Sequence, residues 1–336
     1  MSKNLGFATV YFELEIKMKV GFIGLGNVGS KLSGSLLRNG VDLYVHDLSD
    51  ELLLEFKTLG AKVANTPKEV MKNCEIVITC LPSPNVSAEV MEGKDGLLGE
   101  IKPGKIWMEM STTDEAEVKR LDVLVRAKGG SSVDCPVSGG CHRADTGNIS
   151  IFAGCDRTVF DRILPLLKKM GRRILHTGPI GSASILKVLT NYLATANLIT
   201  CSEALTVAKG AGMDLNIAYE AIRISSGTSF VHETESQVIL NGSRDISFTM
   251  DLVLKDIGIF QEVANRANVP LEINPMMINI FKDGIEKYGP RELSPNIIRR
   301  LEDKTGLDIR APGFPAEMTD DEPEEIGFEV LPKNMS

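Results

Sequence analysis

The sequence predicts an α/β domain followed by an all-α domain built on a long central helix. Three observations carry that expectation. Short β-rich runs alternate with helical patterns from Lys19 to His176. Strand signals stop at residue 181, and only helical patterns follow. Between them, Ala183 to Lys209 contains neither Pro nor Gly and is apolar on nearly every side. Such a helix belongs inside a protein. At 1.5 Å per residue it runs roughly 40 Å, longer than one small domain needs.

The first strand, Lys19-Val-Gly-Phe-Ile, leads into Gly24-Leu25-Gly26-Asn27-Val28-Gly29 and a helical pattern closed by Gly40. A second strand, Val41 to His46, ends at Asp47. This is the dinucleotide fingerprint in the context it requires. The first two glycines permit a tight turn and close approach of a pyrophosphate, and Gly29 lets helix and strand pack. The helix N-terminus offers unpaired N–H groups and positive dipole character to the phosphates. Asp47 lies 18 residues past Gly29, near the spacing of the acid that binds the ribose 2′-hydroxyl. A carboxylate there repels a 2′-phosphate, which favours NAD over NADP. The first domain is therefore expected to be Rossmann-type.

The alternation continues through helix 49–59, strand 61–64, helix 67–72 and strand Glu75 to Leu81, which Pro82 and Pro84 stop. Helix 84–91, strand Ile106 to Met110 and helix 114–128 come next. This rhythm implies a parallel sheet with helices on both faces. Ligands of such sheets bind outside the carboxyl ends of the strands. Leu81-Pro82 and Ser111-Thr112-Thr113 sit at two such ends, although Ser111 or Thr112 can equally cap the following helix. Another strand end carries Asp134-Cys-Pro-Val-Ser138-Gly139-Gly140. Its consecutive N–H groups suit an anion such as a carboxylate, or form a plain flexible loop. A strand 147–154, a helix 156–170 and a last strand 173–176 follow, and Gly178-Pro179 marks a hinge.

Helical patterns then cover 183–209, 214–224, 231–240, 249–267, 275–287 and 294–304. Lys187 and Asn191 are four residues apart near the start of the long helix, so they share a face one turn from each other. A lysine beside an amide on a buried helix is the most informative oddity of the chain. Lys255 lies in Asp251-Leu-Val-Leu-Lys255-Asp256; taken alone it is a solvated residue paired with Asp251. The tail from Pro312 is of another kind, with five acids between Asp320 and Glu325. It is expected to be mobile or laid over a neighbouring surface. The domains are thus an extension at 1–17, an NAD-binding domain at 18–180, a helical substrate and dimerisation domain at 181–305, and an acidic tail at 306–336.

Bulk properties exclude several classes. With 336 residues, 43% of them hydrophobic, the chain suits a globular protein of two domains. A net charge of −8 argues against nucleic acid as the main partner, because phosphate binding needs a basic face. No uninterrupted apolar run reaches 18 residues, so no membrane span is expected. The six cysteines form no CxxC pair and read as reduced thiols of a cytoplasmic protein. The four histidines form no HxH or HxxxH pair, so no metal is expected. His142 stands out because it follows the presumed anion nest. Residues 1–17 carry no secretory pattern, since Glu13 and Glu15 interrupt the apolar stretch.

Four motifs now stand in fixed order: Gly24-Leu-Gly-Asn-Val-Gly29, Asp134-Cys-Pro-Val-Ser138-Gly139-Gly140, Gly181-Ser-Ala-Ser-Ile-Leu-Lys187-Val-Leu-Thr-Asn191, and Lys255-Asp256. This order resembles the β-hydroxyacid dehydrogenase family, of the 3-hydroxyisobutyrate dehydrogenase and tartronate semialdehyde reductase type, over residues 18 to 305. The resemblance implies an oxidoreductase acting on a CH–OH group with a nicotinamide cofactor, while so apolar a long helix points to burial against a partner subunit, in a homodimer or homotetramer. It implies Lys187 as the catalytic lysine and Asn191 as a substrate-holding residue. It implies Ser138, Gly139 and Gly140 around a small carboxylate substrate, and Leu81, Pro82, Thr112 and Lys255 lining the cofactor and reacting centre. The substrate is expected to be a short β-hydroxy acid resembling 3-hydroxyisobutyrate, with a small semialdehyde or threonate as alternatives. The chain departs from the family pattern at Thr190, Cys135 and Cys141-His142-Arg143. There Arg143 either meets a second anionic group or faces solvent.

Overall fold

The computed structural model describes residues 18–333; the expected extension at 1–17 lies outside them. Strand β1 (Lys19–Ile23) feeds helix α1 (Asn27–Arg38), then β2 (Asp42–His46), α2 (Asp50–Thr58), β3 (Lys62–Val63) and α3 (Pro67–Asn73). The chain crosses to β4 (Ile76–Thr79), α4 (Pro84–Glu92), β5 (Ile106–Glu109), α5 (Glu115–Ala127) and β6 (Ser131–Asp134). Then come β7 (Val137–Ser138), the short α6 (Cys141–Asp145), β8 (Ser150–Gly154), α7 (Arg157–Leu167) and β9 (Arg173–Gly178). The helical half comprises α8 (Ser182–Gly210), α9 (Leu215–Arg223), α10 (Phe230–Asn241), α11 (Met250–Arg266), α12 (Ile273–Tyr288) and α13 (Arg299–Thr305). A final strand, β10 (Phe328–Glu329), lies in the tail.

The sheet order is β10-β9-β8-β6-β5-β4-β1-β2-β3, with β7 paired to β8. Phe22 aligns with Val45 of β2 on one side and with Ile78 of β4 on the other. The strand order therefore reverses between β1 and β4, and that crevice is where ligands of such sheets bind. Alternate residues of each strand point to opposite faces. Phe22, Ile78 and Met108 pack on one side with Leu32 of α1 and Phe160 of α7. Val77 and Trp107 pack on the other with Met71 of α3 and Leu121 of α5. The Trp107 indole N–H donates to Thr79 Oγ1 at 2.9 Å, which satisfies its one donor inside the core.

Several expectations need correction. The sheet is not purely parallel, because β8 runs antiparallel to both β6 and β7. Strands do not stop at residue 178: β10 adds in parallel to β9, with Phe328 opposite Arg173. The expected helix 294–304 begins as a 3₁₀ turn, Ser294–Ile298, where Pro295 sits near the start and cannot donate to a helical ladder. Helix α8 is also less enclosed than its composition suggests. Val188, Leu198 and Leu205 are buried, yet Leu193 is 58% and Val207 70% exposed.

The acidic tail takes the second of its two expected forms. Ile309 packs into the helical core, and the Ala311 N–H donates to the Leu240 carbonyl at 2.9 Å. Further on, Asp320 accepts from Asn148 at 2.8 Å, Glu322 from Arg143 at 3.2 Å and Glu329 from Arg157 at 2.6 Å. The segment straps the helical half to the sheet half. Arg143 thus meets the protein's own acids instead of facing solvent.

Candidate active site

A cleft of about 1030 Å³ runs between the two halves. Its sheet side is built at the carboxyl ends of β1, β2, β4 and β5. Gly24 has φ +95°, and a Cβ there would lie 2.2 Å from the Cys80 carbonyl oxygen. A Cβ on Gly29 would meet the Gly24 carbonyl oxygen at 2.0 Å. Both positions are therefore closed to side chains by backbone. Gly26 differs, since a Cβ there would meet nothing within 4 Å. It is the N-cap of α1, with no side-chain cap and no acid in the first turn. The first N–H groups of α1 face a space free of the chain's own groups, as a pyrophosphate requires.

Asp47 stands at the end of β2 and accepts from the Leu25 N–H at 2.6 Å and the Ser49 N–H at 2.8 Å. It ties the glycine turn to β2. Asn27 Nδ2 reaches across to the Ser247 carbonyl at 3.0 Å, so the turn also touches the helical half. Val28, Leu81, Pro82 and Thr112 line the same wall. Neither Ser111 nor Thr112 caps α5. That role falls to Asp114, whose carboxylate accepts from the Ala116 N–H at 2.7 Å. Ser111 instead bonds the buried Glu109 and accepts from the Leu81 N–H at 2.7 Å. The Thr112 carbonyl accepts from Lys255 Nζ at 2.9 Å.

The opposite wall is helical. Its placement begins with Asp134, a buried carboxylate at the end of β6. It accepts from the Ser184 N–H at 2.7 Å and the Ser184 hydroxyl at 2.6 Å. An acid at the first turn of a helix meets its unpaired N–H groups and positive dipole. Burial still pushes this carboxyl up to about 6, against the Ser184 bonds. The contact pins the start of α8, and Lys187 lies one turn on.

Lys187 Nζ donates to Asn191 Oδ1 at 2.8 Å. Asn191 Nδ2 donates in turn to Asp256 Oδ2 at 2.5 Å. Lys255 Nζ sits 3.2 Å from Asp256 Oδ1. Burial pushes the Lys187 ammonium down to about 8; Asp256 opposes that shift and Lys255 adds to it. The reading of Lys255 as an Asp251 partner is overturned, because Asp251 pairs with Arg291 at 3.2 Å.

Ser138, Gly139 and Gly140 line the cleft as well. Gly139 and Gly140 have φ of +134° and +88°, values that favour glycine. His142 stacks on Phe230 at 6.4 Å between centroids, and its buried Nδ1 has no hydrogen-bond partner among the described residues. The other histidines are structural: His46, His176 and His232 each bond a backbone carbonyl.

All sixteen expected site residues but Leu25 line this cleft, and Leu25 contributes the N–H held by Asp47. Three further residues escaped the sequence reading. Asp134 and Asp256 were visible only as motif letters. Glu235 of α10 also lines the cleft. Its signal was an acid on the apolar stripe Val231, Glu235, Val238 at i, i+4, i+7 spacing. Among the described residues, no group of acids, cysteines and histidines is arranged to hold a metal, and no helix is long and apolar enough to cross a membrane.

The cleft combines a dinucleotide cradle with a buried lysine at a hinge between two domains, which defines a nicotinamide-dependent oxidoreductase. Residues 19–178 match the family described as the NAD binding domain of 6-phosphogluconate dehydrogenase. Residues 181–301 match the NAD-binding domain of NADP-dependent 3-hydroxyisobutyrate dehydrogenase. The chain is 32% identical over 297 residues to 2-(hydroxymethyl)glutarate dehydrogenase of Eubacterium barkeri, covering 88% of this chain and 99% of that one. It is 31% identical over 286 residues to the mitochondrial 3-hydroxyisobutyrate dehydrogenase of Rattus norvegicus, covering 83% and 85%. In fold it is similar to a crystal structure of 3-hydroxyisobutyrate dehydrogenase from Salmonella typhimurium, with a TM-score of 0.77 at 24% identity, covering 84% and 99%. The chain belongs to the β-hydroxyacid dehydrogenase family.

Proposed function

We propose that the protein is an NAD-dependent dehydrogenase of a short β-hydroxy acid, with Lys187 as general acid and base. The observation that carries this reading is the half-buried chain Lys187–Asn191–Asp256 facing the glycine turn across one cleft. Gly24, Gly26 and the first turn of α1 would hold the pyrophosphate, and Asp47 the adenosine ribose. The Asp47 carboxylate favours NAD by repelling a 2′-phosphate. When bound, the nicotinamide accepts or gives a hydride at its C4. The chain's own residues do the rest.

In oxidation, neutral Lys187 takes the proton of the substrate hydroxyl while the carbinol C–H bond breaks. In reduction, the ammonium returns that proton to the forming alkoxide. A lysine can serve both directions only if its ionisation lies near working pH. Burial against α10 and α11 supplies that condition, and Asp256 keeps the ammonium from being lost altogether. Asn191 orients the amine through Oδ1, with its own amide fixed by Asp256. Ser138, Gly139 and Gly140 would receive the substrate carboxylate. Holding the carboxylate at one point and the hydroxyl at another leaves the carbinol carbon little freedom, which is where the rate gain of positioning arises.

The substrates named for the two curated relatives share a hydroxymethyl group beside a carboxylate-bearing carbon. The same core is proposed for the substrate here. Exposed Leu189 and Leu193, one turn apart on α8, together with Ile217 on α9 and Ile224 just past its end, support assembly as a homodimer or homotetramer. Six unpaired thiols fit the reducing cytoplasm. The test is NADH formation at 340 nm with NAD⁺ or NADP⁺ and a panel of β-hydroxy acids. NAD⁺-dependent turnover of at least one member supports the reading. Binding of NADH without turnover of any member contradicts it.

A further inference from the structure

The helical wall of the cleft is longer than the proposed core needs. Its lining on α8 runs from Lys187 through Asn191 and Thr195 to Leu198, twelve residues or about 16 Å of helix. Opposite that wall stands α10, which presents Val231, Thr234 and Glu235 to the same space. Glu235 is only half-buried as a residue, yet its Oε2 is sealed from solvent and has no hydrogen-bond partner among the described residues. A buried carboxyl oxygen left unpaired costs more than a paired one contributes. Proteins keep such groups where a ligand completes them.

The contrast with the rest of the lining is chemical. Lys187 and Asp256 both hold Asn191, and Lys255 holds Asp256 and the Thr112 carbonyl. Arg291, which also lines the cleft, is engaged by Asp251. No cation is drawn to Glu235: burial alone pushes its carboxyl up, to about 8. What the cleft offers at this point is an acceptor with an apolar surround of Val231, Leu198 and Phe230.

We propose that Glu235 is a specificity-determining residue that accepts a hydrogen bond from the substrate. On this account the substrate is a β-hydroxy acid carrying a hydroxyl or an ammonium group on its α-carbon, where 3-hydroxyisobutyrate carries its methyl. An alkyl substituent in that place leaves the carboxyl unpaired. Sites built to bond a donor reject the analogue lacking it far more strongly than apolar pockets reject an extra methyl group. The inference rests on the proposed β-hydroxy acid chemistry and adds to it which substituent the cleft selects.

The experiment compares kcat/KM for 3-hydroxyisobutyrate, glycerate, serine and threonate in the wild type, Glu235→Gln and Glu235→Leu. These substrates carry a methyl, a hydroxyl, an ammonium or an extended hydroxylated chain. The wild type is expected to favour at least one donor-bearing member over 3-hydroxyisobutyrate by about tenfold or more. Glu235→Leu should remove that preference while keeping NADH affinity, and its Tm should not fall, because an unpaired acid is replaced by a side chain suited to its surround. Glu235→Gln keeps an acceptor but no charge. It should retain a hydroxyl preference and lose an ammonium preference, which separates the two donors. A Glu235→Leu enzyme with the wild-type substrate ratio overturns the inference and leaves the proposed chemistry standing. If Glu235→Leu fails to fold, a folded Glu235→Ala enzyme with the wild-type ratios for every member overturns it in the same way. A wild type that turns over none of the panel overturns both readings.

Discussion

Two titratable groups line one cleft, and their surroundings differ. Lys187 is wired into a chain of partners, with Asn191 at 2.8 Å and Asp256 beyond it. Glu235 has an oxygen sealed from solvent with no hydrogen-bond partner among the described residues. Burial moves both toward the same range, about 8 in each case. For the lysine this means losing a proton near working pH, and for the glutamate it means keeping one until a cationic substrate group is bound beside it. The lesson is that burial alone sets an ionisation, whereas partners set a geometry. A group held in one orientation can exchange a proton with one atom of a substrate. A group held by nothing can only select which substrate completes it.

Removing the wired group should have the largest effect. Lys187→Ala is expected to lower kcat by about 10³-fold while leaving NADH affinity nearly unchanged, as checked by fluorescence titration beside the 340 nm assay. Turnover within a few-fold of wild type would take Lys187 out of the catalytic role. The next effect tests the wiring itself. Asp256→Asn removes the charge that supports the Lys187 ammonium and weakens the acceptor that orients Asn191, because one carboxylate oxygen becomes an amide nitrogen. A misplaced reacting group costs about 10²-fold, so kcat/KM should fall by that order. The midpoint of its pH profile should also move below that of the wild type, because the attraction opposing desolvation is gone.

A smaller effect is expected on the sheet side of the cleft. Asp47→Ser should raise the NADP⁺ to NAD⁺ ratio of kcat/KM by about fivefold, the order of one unit-charge repulsion at 4 Å in water. Since Asp47 also accepts from Leu25, the variant should bind NAD⁺ more weakly, which calorimetry would register. An unchanged ratio would remove Asp47 from cofactor choice. The smallest effect concerns the strap. Ending the chain before Asp320 deletes its bonds to Thr146, Asn148, Arg143 and Arg157. Most of those pairs are partly exposed and individually weak. A Tm lower by roughly 3–6 °C is expected, read by calorimetry, with the loss shrinking as salt is added.

How much of this was legible in the sequence follows from how local each feature is. Gly24 to Gly29 and Asp47 belong to one β-α-β unit, so their spacing alone announced the cradle. Lys187 and Asn191 are one turn apart on a helix that no other reading explained. Asp256 was different. It meets Asn191 across 65 residues, and only the packing of α11 on α8 brings them together. Asp134 and Ser184 are separated by 50 residues, and their contact depends on where β6 ends. The exposure of Leu193 and Val207 was misread because composition reports what a side chain prefers and not what covers it. Strand β10 is two residues in an acidic, proline-bearing tail. No periodicity exists at that length, and pairing with β9 defines it. Glu235 could have been noticed on its apolar stripe, but a stripe does not say whether a cleft or a core lies beside it.

The central claim is that burial and the Asn191–Asp256 chain tune Lys187 for proton transfer. The most direct measurement is the pH dependence of kcat/KM for β-hydroxy acid oxidation between pH 6 and 10. Oxidation requires the neutral amine, whose fraction grows as pH passes the lysine's ionisation. The rate should therefore rise to a plateau through a midpoint near 8, and the reverse reduction should fall above the same point. The limb should be absent from the residual activity of Lys187→Ala. A profile flat from pH 6 to 10 would contradict the account, and so would an identical limb in the variant lacking Lys187.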